Sequence, residues 1–146
     1  MKILLAYDGF EHSDNALASA AELGRAEAAE VTILSVVPPD ARGSKAGGHV
    51  GLRPHAHEDV ARAHAFLRER GIASEMQMEA GQPVEEIRRV AEEGGYNLIV
   101  VGSRGLSSVG DVLLGSVSGA LVRQAPCPVL VVGKDATSQY EPATKA

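Results

Sequence analysis

Residues 102–118 read GSRGLSSVGDVLLGSVS, the stretch richest in groups able to meet a ligand. Gly102 and Gly105 follow an apolar run and have no Cβ to block a ligand or forbid positive φ. Gly115 comes ten residues after Gly105, and with Ser116 it opens a helical pattern. The first N–H groups of a helix lack partners within it, and its dipole is positive there. With the hydroxyls of Ser116 and Ser118, that end suits an anion. Two glycine corners and a helix start suit a nucleotide, with sugar near the first corner and phosphates near the second. The same residues also serve tight turns and a helix cap, and spacing alone leaves both open.

Rival phosphate loops fit poorly. Gly105 and Gly110 have P-loop spacing, but Asp111 and Val112 follow instead of Lys and Ser/Thr. No G-x-G-x-x-G follows a strand, against a dinucleotide site. A flavin phosphate loop after the first strand would meet Asp8, Glu11 and Asp14, which repel phosphate. An acid at Asp8 suits a neutral partner instead, such as ribose hydroxyls or an exocyclic amine, because an ionised carboxylate accepts hydrogen bonds. The alternative is that Asp8 caps the helix after it. Arg104, the one cation among these residues, reaches a phosphate or lies on the surface.

Other reactive side chains read as structural. His12, His49, His55, His57 and His64 are the histidines. His57 and His64 share a helical face, but a transition-metal site needs a third ligand, and Glu58 or Asp59 is loosely placed. Solvated histidines near a mobile loop are expected, and no metal site. Cys127, between two prolines, reads as a small buried hydrophobe. Met76 and Met78 read as packing residues.

These residues need a frame to position them. The chain has 146 residues, 45% hydrophobic and 23% charged, as in one globular domain. A single cysteine excludes an internal disulfide framework and fits a reducing compartment. Net charge is −5, and aromatics are 3% with no Trp, which argues against nucleic-acid partners. No apolar run reaches the ~18 residues of a membrane span. Residues 2–7 are apolar but cut short by Asp8, a buried strand of a cytoplasmic protein rather than a signal peptide.

Apolar runs then alternate with helical patterns. Strands are predicted at residues 2–7, 31–37, 72–79, 97–101 and 129–132. Helices are predicted from Ser13, the expected N-cap, to about Glu30, then at 57–70, around 84–91 and at 116–125. A mobile loop is expected at about 39–55. The result is a single-domain α/β fold, a doubly wound five-stranded parallel sheet with helices on both faces. The third strand alternates polar and apolar residues, as an edge does. That favours the order 3-2-1-4-5 and sets a ligand site between strands one and four, where the winding reverses.

In these residues the chain resembles the universal stress protein family. Nucleotide-binding members of that family carry Gly-x-x-Gly, nine residues, then Gly-Ser/Thr; Gly102, Gly105, Gly115 and Ser116 match without a gap. ILLAYDG followed by Ser13, the tripeptide Pro126, Cys127, Pro128, and VLVV are also similar. The resemblance covers about residues 1–133, leaving 134–146 as a flexible tail. It implies the same sheet order and an adenine nucleotide, ATP above all, with Mg²⁺ on its phosphates. Asp8 and Val36 would hold the adenosine, beside the Ala6 and Tyr7 backbone. Val101, Gly102, Arg104 and Gly105 would line ribose and phosphates, and Gly115, Ser116, Val117 and Ser118 would hold the phosphates. Asp111 departs from the basic residue of many relatives. The resemblance also points to a homodimer through strand five, residues 128–132, an uncharged edge that invites its own copy.

The expected role is a nucleotide-binding stress-response or signalling module rather than a dedicated catalyst. Apart from Asp111, no base is placed near the phosphate end. A slow ATPase or phosphotransferase is the first alternative, and a structural dimer without nucleotide the second.

Overall fold

The computed structural model describes residues 1–39, 56–103 and 115–133. Residues 40–55 of the expected loop, Arg104, Gly105, Asp111 and the tail at 134–146 lie outside the described residues. The described elements run β1 (Lys2–Ala6), α1 (Glu11–Glu27), β2 (Glu30–Val37), α2 (Ala56–Glu69), β3 (Ser74–Ala80), α3 (Pro83–Gly94), β4 (Leu98–Gly102), α4 (Ser116–Gln124) and β5 (Val129–Val132). All pairings are parallel, in the order β3-β2-β1-β4-β5.

The central strands are apolar on both sides because helices cover both. Ile3, Leu4 and Leu5 are fully buried. Side chains alternate across a strand. Ile3 and Leu5 therefore join Leu17 of α1 and Val60 and Leu67 of α2, while Leu4 joins Ile87 and Val90 of α3 and Leu121 of α4. The Ala-rich face of α1 (Ala16, Ala20 and Ala21, all buried) lets that helix lie close to the sheet. α3 opens on Pro83, whose missing N–H costs nothing at a helix start, and ends on Gly95 at φ 64°.

Two expectations are corrected. α1 starts at Glu11 with Phe10 at the N-cap and no side-chain cap. Ser13 lies inside the helix, and its hydroxyl bonds Asp8. Met76 is 45% exposed rather than packed. Among the described residues β3 is the edge strand, with β2 its one neighbour.

Candidate functional site

β1 sends the chain to α1 on one face of the sheet, and β4 leads toward α4 on the other. Neighbouring strands that part in opposite directions leave a crevice at their carboxyl ends. A cleft opens there with about 500 Å³ of empty space, its open mouth included.

One half of the cleft is apolar, walled by Leu34 and Val36 of β2 and by Pro83 and Ile87 of α3. Its edge carries main-chain groups. Val31 N–H donates to the Ala73 carbonyl and Val37 C=O accepts from Gly81, both toward β3. Leu34 C=O accepts from Tyr7 N–H at 2.9 Å, toward β1. Successive residues of a strand face opposite neighbours, so Val36 turns its N–H and C=O toward β1. β1 has already ended at Ala6, whose register partner is Leu34. The Val36 peptide groups therefore border the cleft, past the last rung between the two strands.

The other half is built on Asp8. Gly9 takes φ 82°, a region that favours glycine, and turns the chain over the Asp8 carboxylate. Oδ1 accepts from Phe10 N–H at 2.9 Å and from the Ser13 hydroxyl at 2.6 Å. Oδ2 lies 2.9 Å from His12 Nε2. Ser13 Oγ also accepts from Asp8 N–H at 3.1 Å. Burial alone would raise the Asp8 pKa, but the bonds from His12, Ser13 and Phe10 outweigh it and hold the carboxyl well below its usual range. Asp8 is thus ionised at any physiological pH. Tyr7 turns its hydroxyl to Asp14 Oδ1 at 2.7 Å.

Val101, Gly102 and Val117 close the β4 side. A Cβ on Gly102 would overlap the His12 carbonyl, so this glycine lets the start of α1 touch the end of β4. α4 begins beyond Gly115, whose N–H donates to Ser118 Oγ at 3.0 Å. The Ser118 hydroxyl in turn reaches the Gly115 carbonyl at 3.3 Å. Ser118 is buried closing that turn, and Ser116 is exposed. The N–H groups of the first turn, from Ser116 on, have no partner within the helix.

The family model described as "Universal stress protein family" matches residues 1–133. The chain belongs to the universal stress protein family. It is 34% identical over 144 residues to universal stress protein YxiE of Bacillus subtilis, covering 90% of this chain and 97% of that protein. Hypothetical protein MJ0577 has a solved structure that matches with a TM-score of 0.78 at 27% identity, over 93% of this chain and 97% of that one. A universal stress protein solved in complex with cAMP matches with a TM-score of 0.73 at 26% identity, over 90% and 96%.

In this universal stress protein the cleft brings together Ala6, Tyr7, Asp8, Val36, Val101, Gly102 and Val117 of the residues singled out from sequence. Gly115, Ser116 and Ser118 stand beside it at the start of α4. The cleft also takes His12, Ser13, Leu34, Pro83 and Ile87, which sequence reasoning did not assign to it. Pro83 and Ile87 lie one helical turn apart at the start of α3, and His12 and Ser13 follow Asp8 closely. Those spacings are visible in the sequence but say nothing until α3 is set over β2.

The remaining candidates go elsewhere. His64 Nδ1 lies 2.8 Å from Ser74 Oγ, linking α2 to β3, and His57 is exposed. Among the described residues no three His, Cys, Asp or Glu side chains converge as metal ligands. Cys127 packs against the α3–α4 side of the core, and burial pushes its thiol pKa up. No helix among the described residues is long and apolar enough to cross a membrane.

Proposed function

We propose that this chain binds an adenine nucleotide in the cleft between the ends of β1 and β4 and acts as a cytoplasmic stress-response or signalling module. ATP carrying Mg²⁺ on its phosphates is among the ligands it would take. One observation carries the proposal: an apolar cleft wall bordered by the N–H and C=O of Val36, which have no main-chain partner among the described residues. A purine offers a flat face to such a wall and alternating donors and acceptors to such an edge. Asp8 and the Ala6 and Tyr7 backbone would flank the adenosine. Ribose and phosphates would run past Val101 and Gly102 toward the start of α4. Ser116 and Val117 N–H groups would meet the phosphates there, with Gly115 and Ser118 shaping the turn and Arg104 and Gly105 completing the site. The relative solved with cAMP supports the ligand class.

The module would work as a homodimer. Among the described residues β5 ends the sheet, and the outer row of its backbone groups has no strand beside it. Leu130 on β5 and Val122 on α4 are exposed at 37% and 52%. A two-fold axis would pair two β5 strands antiparallel.

Equilibrium binding of ATP, AMP and GTP tests the ligand class. The adenine nucleotides should bind and GTP should bind at least about tenfold less well, the factor of about 1.4 kcal/mol for one mismatched edge. Equal affinity for all of them would overturn the base assignment. Sedimentation should give about twice 15.2 kDa, and Leu130→Lys should shift it toward monomer. A parent protein that stays monomeric would remove the β5 interface.

A further inference from the structure

His12 stands on the cleft wall with no part in the function proposed above. Its side chain is 14% exposed. Its ring is fixed twice, by Asp8 Oδ2 at 2.9 Å from Nε2 and by the Phe10 ring stacked at 6.1 Å and 15°. An ionised carboxylate only accepts, so Nε2 carries the hydrogen whether the imidazole is neutral or charged. That leaves Nδ1, which has no hydrogen-bond partner among the described residues. In the neutral ring Nδ1 accepts, and in the charged ring it donates.

The cleft sets an electrostatic problem. Asp8 is ionised there, and a phosphate brought in beside it meets a like charge. His12 is the only side chain able to carry positive charge among the described residues that line the cleft. It covers one oxygen of Asp8, and its own carbonyl touches the Gly102 corner, where the cleft turns from β1 toward α4.

We propose that His12 is the phosphate-selecting residue of this cleft: held by Asp8 through Nε2, it takes up a proton on Nδ1 as a nucleotide binds and donates it in a hydrogen bond to the phosphate next to the ribose. This rests on the adenine-nucleotide function of the cleft. The proton comes from solvent, and no bond of the nucleotide breaks. Among the described residues the titratable neighbours are few. Asp8 faces the ring from the loop after β1. Tyr7 at the end of β1 and Asp14 on α1 bond one another. The cleft residues that β2, α3, β4 and α4 bring, from Leu34 to Val117, carry no titratable group.

Calorimetric titration of AMP and adenosine into the chain, at several pH values and in buffers of different ionisation enthalpy, tests this. Imidazoles change charge between about pH 5 and 8. AMP binding should take up protons near pH 7 and tighten as pH falls, while adenosine binding does neither. His12→Gln keeps an N–H donor for Asp8 but cannot titrate. It should weaken AMP by about tenfold or more, the loss of one charge-assisted hydrogen bond, abolish proton uptake, and leave adenosine within about twofold. AMP binding by the parent protein without proton uptake would overturn the proposal, and that measurement needs no variant. Equal weakening of AMP and adenosine in His12→Gln would overturn it too, by reducing His12 to a structural prop. A parent chain that binds adenosine but not AMP would sink the His12 role alone. A chain that binds neither would sink the nucleotide function and this role together.

Discussion

The two ends of the sheet use their polar groups in opposite ways. At the amino end they tie strands shut. Lys2 N–H donates to Asn97 Oδ1 at 2.7 Å, and Asn97 N–H returns a bond to the Lys2 carbonyl at 2.8 Å. The Lys2 ammonium donates to the Gly94 carbonyl at 2.5 Å and lies 4.6 Å from the centre of the Tyr96 ring. The Tyr96 hydroxyl donates to buried Thr32 at 2.6 Å. Every one of these groups ends on another part of the fold. At the carboxyl end the described polar groups fold one loop onto Asp8. Among the described residues the Val36 peptide edge and His12 Nδ1 have no partner. The amino end secures the strands whose carboxyl ends frame the cleft.

Substitutions can break that contrast. The largest effect should come from Gly102→Val, which drives a branched side chain into the His12 carbonyl. It should cost about 1–3 kcal/mol of stability, as overpacking does, and remove measurable nucleotide binding. Denaturant unfolding and equilibrium dialysis check both, and wild-type affinity in this variant would mean that the cleft is not the site. Asp8→Ala comes next. It strips Phe10 N–H, His12 and Ser13 of their common acceptor and should cost about 1–3 kcal/mol. AMP and ATP should weaken by similar factors, since both keep the adenosine.

The same residue predicts an acid limb. The folded pKa of Asp8 lies below the unfolded value of about 3.9, so its contribution is complete above that pH. It is lost as pH falls toward the folded value. Below about pH 4 the stability of Asp8→Ala should therefore fall less steeply than that of the parent in an acid titration followed by circular dichroism. Parallel curves would contradict the Asp8 hydrogen-bond cluster.

Tyr96→Phe should show the smallest effect. Losing one hydrogen bond at the closed end should cost about 0.5–1.5 kcal/mol and leave nucleotide affinity unchanged. A change in affinity would show that the two ends are coupled.

What could be read from sequence follows the same division. The covered parallel sheet was legible because its central strands are apolar on both faces, and the strand order because the third strand alternates as an edge does. Asp8 and Gly102 could be set beside the crevice from sequence because they stand where a strand stops, whereas Val36 was named only through the family resemblance. The start of α1 was not legible, because Ser13 has the side chain of a cap but gives it to Asp8, while Phe10 caps with backbone alone. Met76 misled because alternation marks a face without saying whether a helix reaches it. Leu34, Pro83 and Ile87 belong to the cleft only through the placement of α3 over β2, a tertiary fact with no local pattern. His12 escaped because its role depends on a partner outside any helical or strand period.

The pairing of β1 with β4 also sets a timetable. Lys2 and Asn97 are 95 residues apart in the chain yet share a rung. β1, β2 and β3 can pair through successive crossovers, whereas β4 must close a far longer loop before it meets β1. During synthesis, the first strand made waits at what will be the centre of the sheet, with one edge bare. A chain at that stage has the Asp8 loop and the Val36 edge but lacks the β4 wall of the cleft. Nucleotide therefore cannot guide the early steps of folding. It can only act as a latch on the last one.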